Sequence, residues 1–312
     1  MNFSKLIFLS FIVAFLIFFS GVVLSQADTD AYNAARSIDD PAKRVEALEA
    51  FIKNYPESRS KGRAYRGLFS AHLKMDEGEK ALDAAEKYLA TISENRRGSA
   101  YNGLAWQLAE KKVGLETANK YAELAVEWAR STNNPGRVRG ILDTHAYVQY
   151  QMGNAAKALE LQREAVINNE DDPEFTERLA LYLEASGHRR EALEWAARTM
   201  LHGGGEQVLA NFNNWLAAEA PDASARKALK DKIVSTTINA YLGKPGETES
   251  DLGKLSSAAV FLAKTGVRTE QAEQWASKAA QSLNENSKTD DMIQYRSRLA
   301  MVYFATGRYR DA

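Results

Sequence analysis

The chain contains no cysteine. This excludes disulfides, thiolate metal sites, thiol catalysis and a lipid-modified cysteine anchor within its 312 residues. Proline is scarce, at 6 residues, so little stands in the way of long helices. Histidine is scarcer still: His72, His145, His188 and His202 are never four apart, no His-Glu-x-x-His occurs, and a zinc site has no support. An excess of one charge is also missing. Forty basic residues face 41 acidic ones, a net charge of −1, so bulk charge gives no reason to expect nucleic acid. Beyond residue 25 β-branched runs are almost absent, and Ala, Leu and Glu dominate, a helix-forming composition.

One long apolar run is present. Lys5 precedes Leu6–Leu24, which is interrupted only by Ser10, Ser20 and Gly21. Small residues then fall at cleavage spacing before Gln26 or Asp28, and the acidic residues Asp28, Asp30, Asp39 and Asp40 follow. This order puts the N-terminus inside and the remainder outside, so residues 1–25 read as a cleaved signal peptide or an uncleaved membrane anchor. Either way the body is expected to be exported, in the periplasm or an equivalent space. The only membrane contact expected is through residues 6–24, at the inner membrane.

From Asp28 onward, apolar residues recur at three- and four-residue spacings, one stripe per helix. Turn signals divide the stripes: Tyr55-Pro56-Glu57-Ser58, Asn133-Asn134-Pro135-Gly136, Asp171-Asp172-Pro173, Gly203-Gly204-Gly205 and Lys244-Pro245-Gly246. The predicted antiparallel pairs are 28–58, 59–93, 96–131, 138–171, 173–202, 205–242, 252–284 and 290–312. Arg139–Asp172 places Ala146, Gly153, Ala158, Leu159 and Ala165 where two helices must touch. The next 34 residues repeat the scheme with Ala180, Gly187, Ala192, Leu193 and Ala196, and it returns with Leu299, Ala300, Tyr303, Gly307 and Tyr309. The alanines let two backbones approach, and the glycines supply a left-handed turn.

These residues resemble the tetratricopeptide repeat, with its 34-residue period, small residues at the helix crossing and a glycine in the turn. The match is weaker at 59–93, where Ala81, Leu82, Ala85 and Tyr88 fit but the glycine is displaced to Gly78. The implied fold is all-α, an α-α superhelix (a TPR-like solenoid) of about eight helix pairs. Two arms are expected, 28–202 and 206–312, with Gly203–Gly205 as a hinge. A longer period lies beneath. A shift of 154 residues lays Leu108-Ala109 on Leu262-Ala263, Val113 on Val267, Glu116-x-Ala118 on Glu270-x-Ala272 and Tyr121-Ala122 on Trp275-Ala276. The same shift lays Ala158 on Ala312, so the second helix of the last pair is expected beyond Ala312 and the chain reads as incomplete there. Leu299, Tyr303 and Phe304 would then await a packing partner.

Little chemistry stands out against this background. His145 occupies a helix position usually filled by leucine and reads as a buried, hydrogen-bonded histidine. His202-Gly203-Gly204-Gly205 is similar to a lipase oxyanion loop, but no Gly-x-Ser-x-Gly elbow accompanies it. The glycines and Lys254 between Gly246 and Ser256 lack phosphate-loop spacing. Glu77, Glu79 and Glu170-Asp171-Asp172 read as solvated faces and caps. No catalytic constellation, metal site or cofactor is expected.

The resemblance implies a concave groove for a protein or peptide partner. Transferred by position, it places Arg63, Arg66, Asn102, Trp106, Asp143, Tyr147, Tyr150, Glu177 and Phe304 there. Arginines and aromatics on a rigid surface suit an extended segment or a partner helix; the same aromatics could equally pack on adjacent helices. The Lys/Asn clamp for C-terminal carboxylates is not matched. The expected function is an exported, non-enzymatic interaction scaffold. The alternative is the helical part of an exported thioredoxin-like enzyme with its catalytic domain beyond residue 312. That alternative rests on the similarity of Leu104-Ala105-Trp106-x-Leu108-Ala109 and Leu142-Asp143-Thr144-x-Ala146 to repeat regions of such proteins.

Overall fold

The computed structural model describes residues 26–243, 251–283, 287–308 and 311. The apolar run of residues 6–24, the Lys244-Pro245-Gly246 turn, Tyr309 and Ala312 lie outside them. The described residues form helices joined by short turns, with no strand among them. In order these are α1 (26–36), α2 (Pro41–Asn54), α3 (Lys61–Lys74), α4 (Gly78–Thr91), α5 (Glu94–Lys111), α6 (Leu115–Ser131), α7 (Pro135–Gln151) and α8 (Ala155–Val166). Then come α9 (Pro173–Ala185), α10 (Arg189–Leu201), α11 (Glu206–Glu219), α12 (Ala223–Leu242), α13 (Leu252–Thr265), α14 (Thr269–Gln281) and α15 (Thr289–Ala305). No helix among the described residues is long and apolar enough to cross a membrane.

The turn signals act as helix starts. Asp40, Asn134 and Asp172 each stand before a proline at the first helical position, and each side chain accepts a backbone N–H of the first turn, at 2.9, 3.0 and 3.0 Å. At the other end, left-handed residues close the helices. Gly187 (φ +83°) caps α9, with His188 N–H donating to the Leu183 carbonyl at 2.8 Å. The second pair, which lacks that glycine, uses Asp76 at φ +58° instead, and Glu77 N–H reaches the His72 carbonyl at 2.9 Å. The buried His72 ring then meets Glu77 Oε2 at 2.6 Å, tying the cap to the helix it ends.

The chain divides into two compact units, Met1–Met152 and Gly153–Ala312. In the first, α3 packs on α4, α5 on α6, and α7 on both α5 and α6. Ala64, Ala81, Ala85, Ala105, Ala109, Ala118 and Ala122 are fully buried at these crossings, with Leu48, Phe69 and Leu108 filling the spaces between. In the second unit α8 packs on α9, α9 on α10, α10 on α11, α13 on α14, and α15 on both α13 and α14. One core cluster runs from Ala180 through Phe212 and Phe261 to Val302. Both units are thus tetratricopeptide-like helix-pair layers, with small residues at the crossings as the repeat predicts.

The 154-residue period is visible as geometry. Lys112 and Gly114 (both φ +53°) end α5 and open α6; Gly266 (φ +67°) and Arg268 (φ +51°) do the same for α13 and α14. The closing bonds repeat too: Val113 N–H to the Leu108 carbonyl at 3.0 Å, and Val267 N–H to the Leu262 carbonyl at 3.1 Å. A left-handed lysine or arginine is uncommon, so the same backbone path at both copies reflects the repeat and not the residue type.

Gly203–Gly205 sits differently from the hinge the sequence suggests. Gly203 (φ +107°) and Gly204 close α10, with Gly204 N–H donating to the Thr199 carbonyl at 2.8 Å. A Cβ on Gly204 would stand 2.9 Å from that carbonyl oxygen, so glycine is needed there for close approach. The turn therefore lies inside the second unit, whose core continues across it from Met200 and Leu201 to Val208 and Phe212. The compact units divide instead at Met152 and Gly153.

Candidate functional site

Seven of the nine candidate groove residues fall in the first unit, on α3, α5 and α7. Their placement follows from helical spacing. On α5, Ser99, Asn102, Gly103 and Trp106 are three or four residues apart and share one face. On α7, Asp143, Tyr147 and Tyr150 do the same. Because α5 packs on α7, the two faces meet, and the Trp106 and Tyr147 rings stack with centroids 4.7 Å apart and planes 28° from parallel. Both rings are half-buried, as are Asn102 and Tyr150. Asp143 is enclosed, at 6% exposure, by the same packing, so its carboxylate does not stand on the open face that the register transfer gave it.

Arg63 and Arg66 lie exposed on α3, and α3 is held to α5 by the Ser70 hydroxyl donating to Gln107 Oε1 at 3.3 Å. Arg66 lines two adjoining cavities. One, of about 570 Å³, is formed by α1, α2 and α3 and includes Arg36, Arg44 and Arg63. The other, of about 430 Å³, runs along α5 and includes Arg96, Trp128 and Arg137, with the Arg137 guanidinium 4.8 Å over the Trp128 ring. Among the described residues no carboxylate lines either cavity. Arg36, Arg44, Arg96, Trp128 and Arg137 escaped the sequence reading because they stand off the register positions used for the transfer.

The remaining two candidates belong to the second unit, on α9 and α15. Glu177 is half-buried on α9. Phe304 is 67% exposed on α15 and borders a cavity of about 760 Å³ with Leu209, Val260 and Met301. Its neighbours in the sequence argument are better covered: Leu299 packs on the core, and Tyr303 is half-buried beneath the Arg308 guanidinium.

His145 is buried and hydrogen-bonded, as its position predicts. Its Nε2 and the Gln149 amide both reach Asn119 Oδ1, at 3.0 and 2.6 Å, joining α7 to α6. His202 borders a second-unit cavity of about 760 Å³, with Asp171 Oδ1 at 3.2 Å and the Tyr241 ring perpendicular to its own, centroids 5.4 Å apart. Burial lowers its pKa, and nearby Asp171 opposes that shift. Among the described residues no group of three or more His, Cys, Asp or Glu could hold a metal ion.

Fold and site together define a helix-pair repeat protein with a face that joins free arginines to a packed aromatic pair. No protein-family model and no curated protein matches the chain. Solved structures similar to it include one described under the functional characterization of Pseudomonas aeruginosa pilF, at 18% identity and TM-score 0.46, covering 67% of this chain and 93% of that one. Another is the C-terminal part of a TPR repeat-containing protein from Cytophaga hutchinsonii, at 12% identity and TM-score 0.49, covering 86% and 98%. A third is the TPR domain of P58(IPK), at 13% identity and TM-score 0.25, covering 92% and 90%. The fold rests on the chain's own helix pairs and their packing, not on these likenesses.

Proposed function

We propose that the chain is an exported, non-enzymatic scaffold that holds a protein partner on the α3/α5/α7 face of its first unit. The observation that carries this is the Trp106–Tyr147 stack, half-buried and preorganised, in the same unit as the exposed Arg63 and Arg66 of α3. A rigid aromatic pair loses little entropy on binding, and the flanking guanidiniums give direction. Export is proposed from Lys5 and the apolar run Leu6–Leu24.

The test is a photo-crosslinking amino acid placed at the exposed Ser99, on the same face, in cells that express the protein. A discrete protein adduct is expected, and the Trp106→Ala/Tyr147→Ala double variant should reduce its yield by about tenfold, since two aromatic anchors are lost. Helicity should be unchanged by circular dichroism. The same crosslinker at Glu123, exposed on α6, should give no such adduct. Equal adducts from Ser99 with and without the two rings would remove this face from consideration.

A further inference from the structure

Charge is segregated between the helices α3 to α7 of the first unit. The three helices α3, α5 and α7 carry nine Lys or Arg against three Asp or Glu, and the helices that alternate with them, α4 and α6, carry four against six. One of the three acids on α3, α5 and α7 is the enclosed Asp143, and the others, Glu94 and Glu110, stand near the ends of α5. Within a chain of net charge −1 the basic side is therefore a local construction. Three of its guanidiniums, on Arg63, Arg66 and Arg96, and that of Arg36 on α1 are exposed and have no ion-pair or hydrogen-bond partner among the described residues. Elsewhere in the same unit, lysines do find carboxylates, as Lys80 does with Glu77 at 2.7 Å and Lys87 with Asp83 at 2.6 Å.

We infer that this furrow, the two cavities joined at Arg66, takes an extended acidic segment of a partner protein. This rests on the scaffold reading above and names the chemistry of the partner. Each guanidinium can grip a carboxylate through two parallel N–H donors, a geometry that lysine does not offer. The site is elongated, passing from α1 across α3 and along α5, and it comprises two open cavities and not one enclosed pocket. That shape suits a segment with several carboxylates better than a single small anion. A nucleic acid is disfavoured by the aromatics. Trp106 is stacked on Tyr147, and Trp128 lies under Arg137, so one face of each ring is already engaged and no ring can be sandwiched between successive bases.

The experiment titrates the full chain against a fluorescein-labelled glutamate–serine peptide, its glutamine–serine and lysine–serine counterparts, and oligothymidylate. The glutamate peptide should bind at least about tenfold more tightly than the glutamine one, and its affinity should fall as salt is raised. Arg63→Glu/Arg66→Glu should lower its affinity by about tenfold or more and bring the lysine peptide up. Both arginines are exposed, so helicity should persist, and gained binding of the lysine peptide shows a folded furrow in its own right. Equal binding of the glutamate and glutamine peptides, or unchanged glutamate binding by the double variant, would overturn the acidic assignment. Tighter binding of oligothymidylate than of the glutamate peptide would overturn the choice of a protein segment. Persistence of the Ser99 adduct alongside either failure separates this inference from the scaffold reading, which would then stand with a different partner chemistry.

Discussion

Gly98→Ala should destabilise the first unit by about 1 kcal/mol, although alanine is the better helix former. Gly98 is buried inside α5 and faces Trp128 of α6, and an added Cβ would overlap the indole ring carbons. The intrinsic helix preference for alanine over glycine is worth about 1 kcal/mol in the variant's favour. Against it stands overpacking of a rigid ring, which costs about 1–3 kcal/mol. A flexible side chain could yield by rotating its far end; an indole must turn as a whole. In turning it would leave Tyr101, Val126 and Val138, which share its cluster, and abandon the Arg137 guanidinium. Urea unfolding of Gly98→Ala, Trp128→Ala and the double variant checks the account. The second substitution removes the clash, so the double variant should be less destabilised than the sum of the singles. Simple additivity would mean that the two residues do not meet. Because Trp128 and Arg137 line the α5 cavity, the same alanine should also disturb acidic-peptide binding.

How much of this was legible depended on whether a residue type is tied to a conformation. Gly187 and Gly307 announced left-handed caps because glycine reaches positive φ without cost, and both adopt it. Asp76, Lys112 and Arg268 reach the same region, yet nothing in their chemistry requires it. Their caps are imposed by the helix-pair geometry around them, and only the 154-residue repeat linked Lys112 to Gly266. Pro135 and Pro173, read as turn signals, open α7 and α9, because their fixed φ suits the first helical position. The site was legible in part for a similar reason. Arg63, Arg66, Trp106 and Tyr147 followed from register, since helical spacing determines which residues share a face. Asp143 shared that face by spacing but is covered, because burial depends on how closely α5 and α7 approach, and spacing carries no such information. Arg36 and Arg96 were missed because a net charge of −1 averages the basic helices with the acidic ones. Counting charge helix by helix would have found Arg96 on α5, but not Arg36, whose helix α1 carries Asp28 and Asp30 as well.

Phe212→Ala should cost the second unit about 3–5 kcal/mol, a large share of what a domain of this size has to lose. Phe212 is fully buried on α11, one turn from both Val208 and Leu216, which are also buried. The core cluster it belongs to draws on the two flanking helices and on a third: Met200 and Leu201 of α10, Ile233 and Ile238 of α12, Phe261 and Leu262 of α13. Removing the ring leaves a cavity that those helices cannot all close upon, because α10 is held by its Gly203–Gly204 cap and Lys264 of α13 reaches the Gly204 carbonyl at 3.3 Å. The transfer and cavity contributions therefore add. Phe212→Leu keeps most of the volume and should cost about 1–1.5 kcal/mol. Unfolding in urea, followed by circular dichroism and by the fluorescence of Trp195, Trp215 and Trp275, all in this unit, measures both variants. Since one core cluster spans α9 to α15, the transition of the whole unit should move together. A loss below about 1 kcal/mol for the alanine variant would contradict the packing. A transition in which α11 alone melts early, with Trp215 reporting before Trp195 and Trp275, would show that the Gly203–Gly205 turn is a seam in the fold after all.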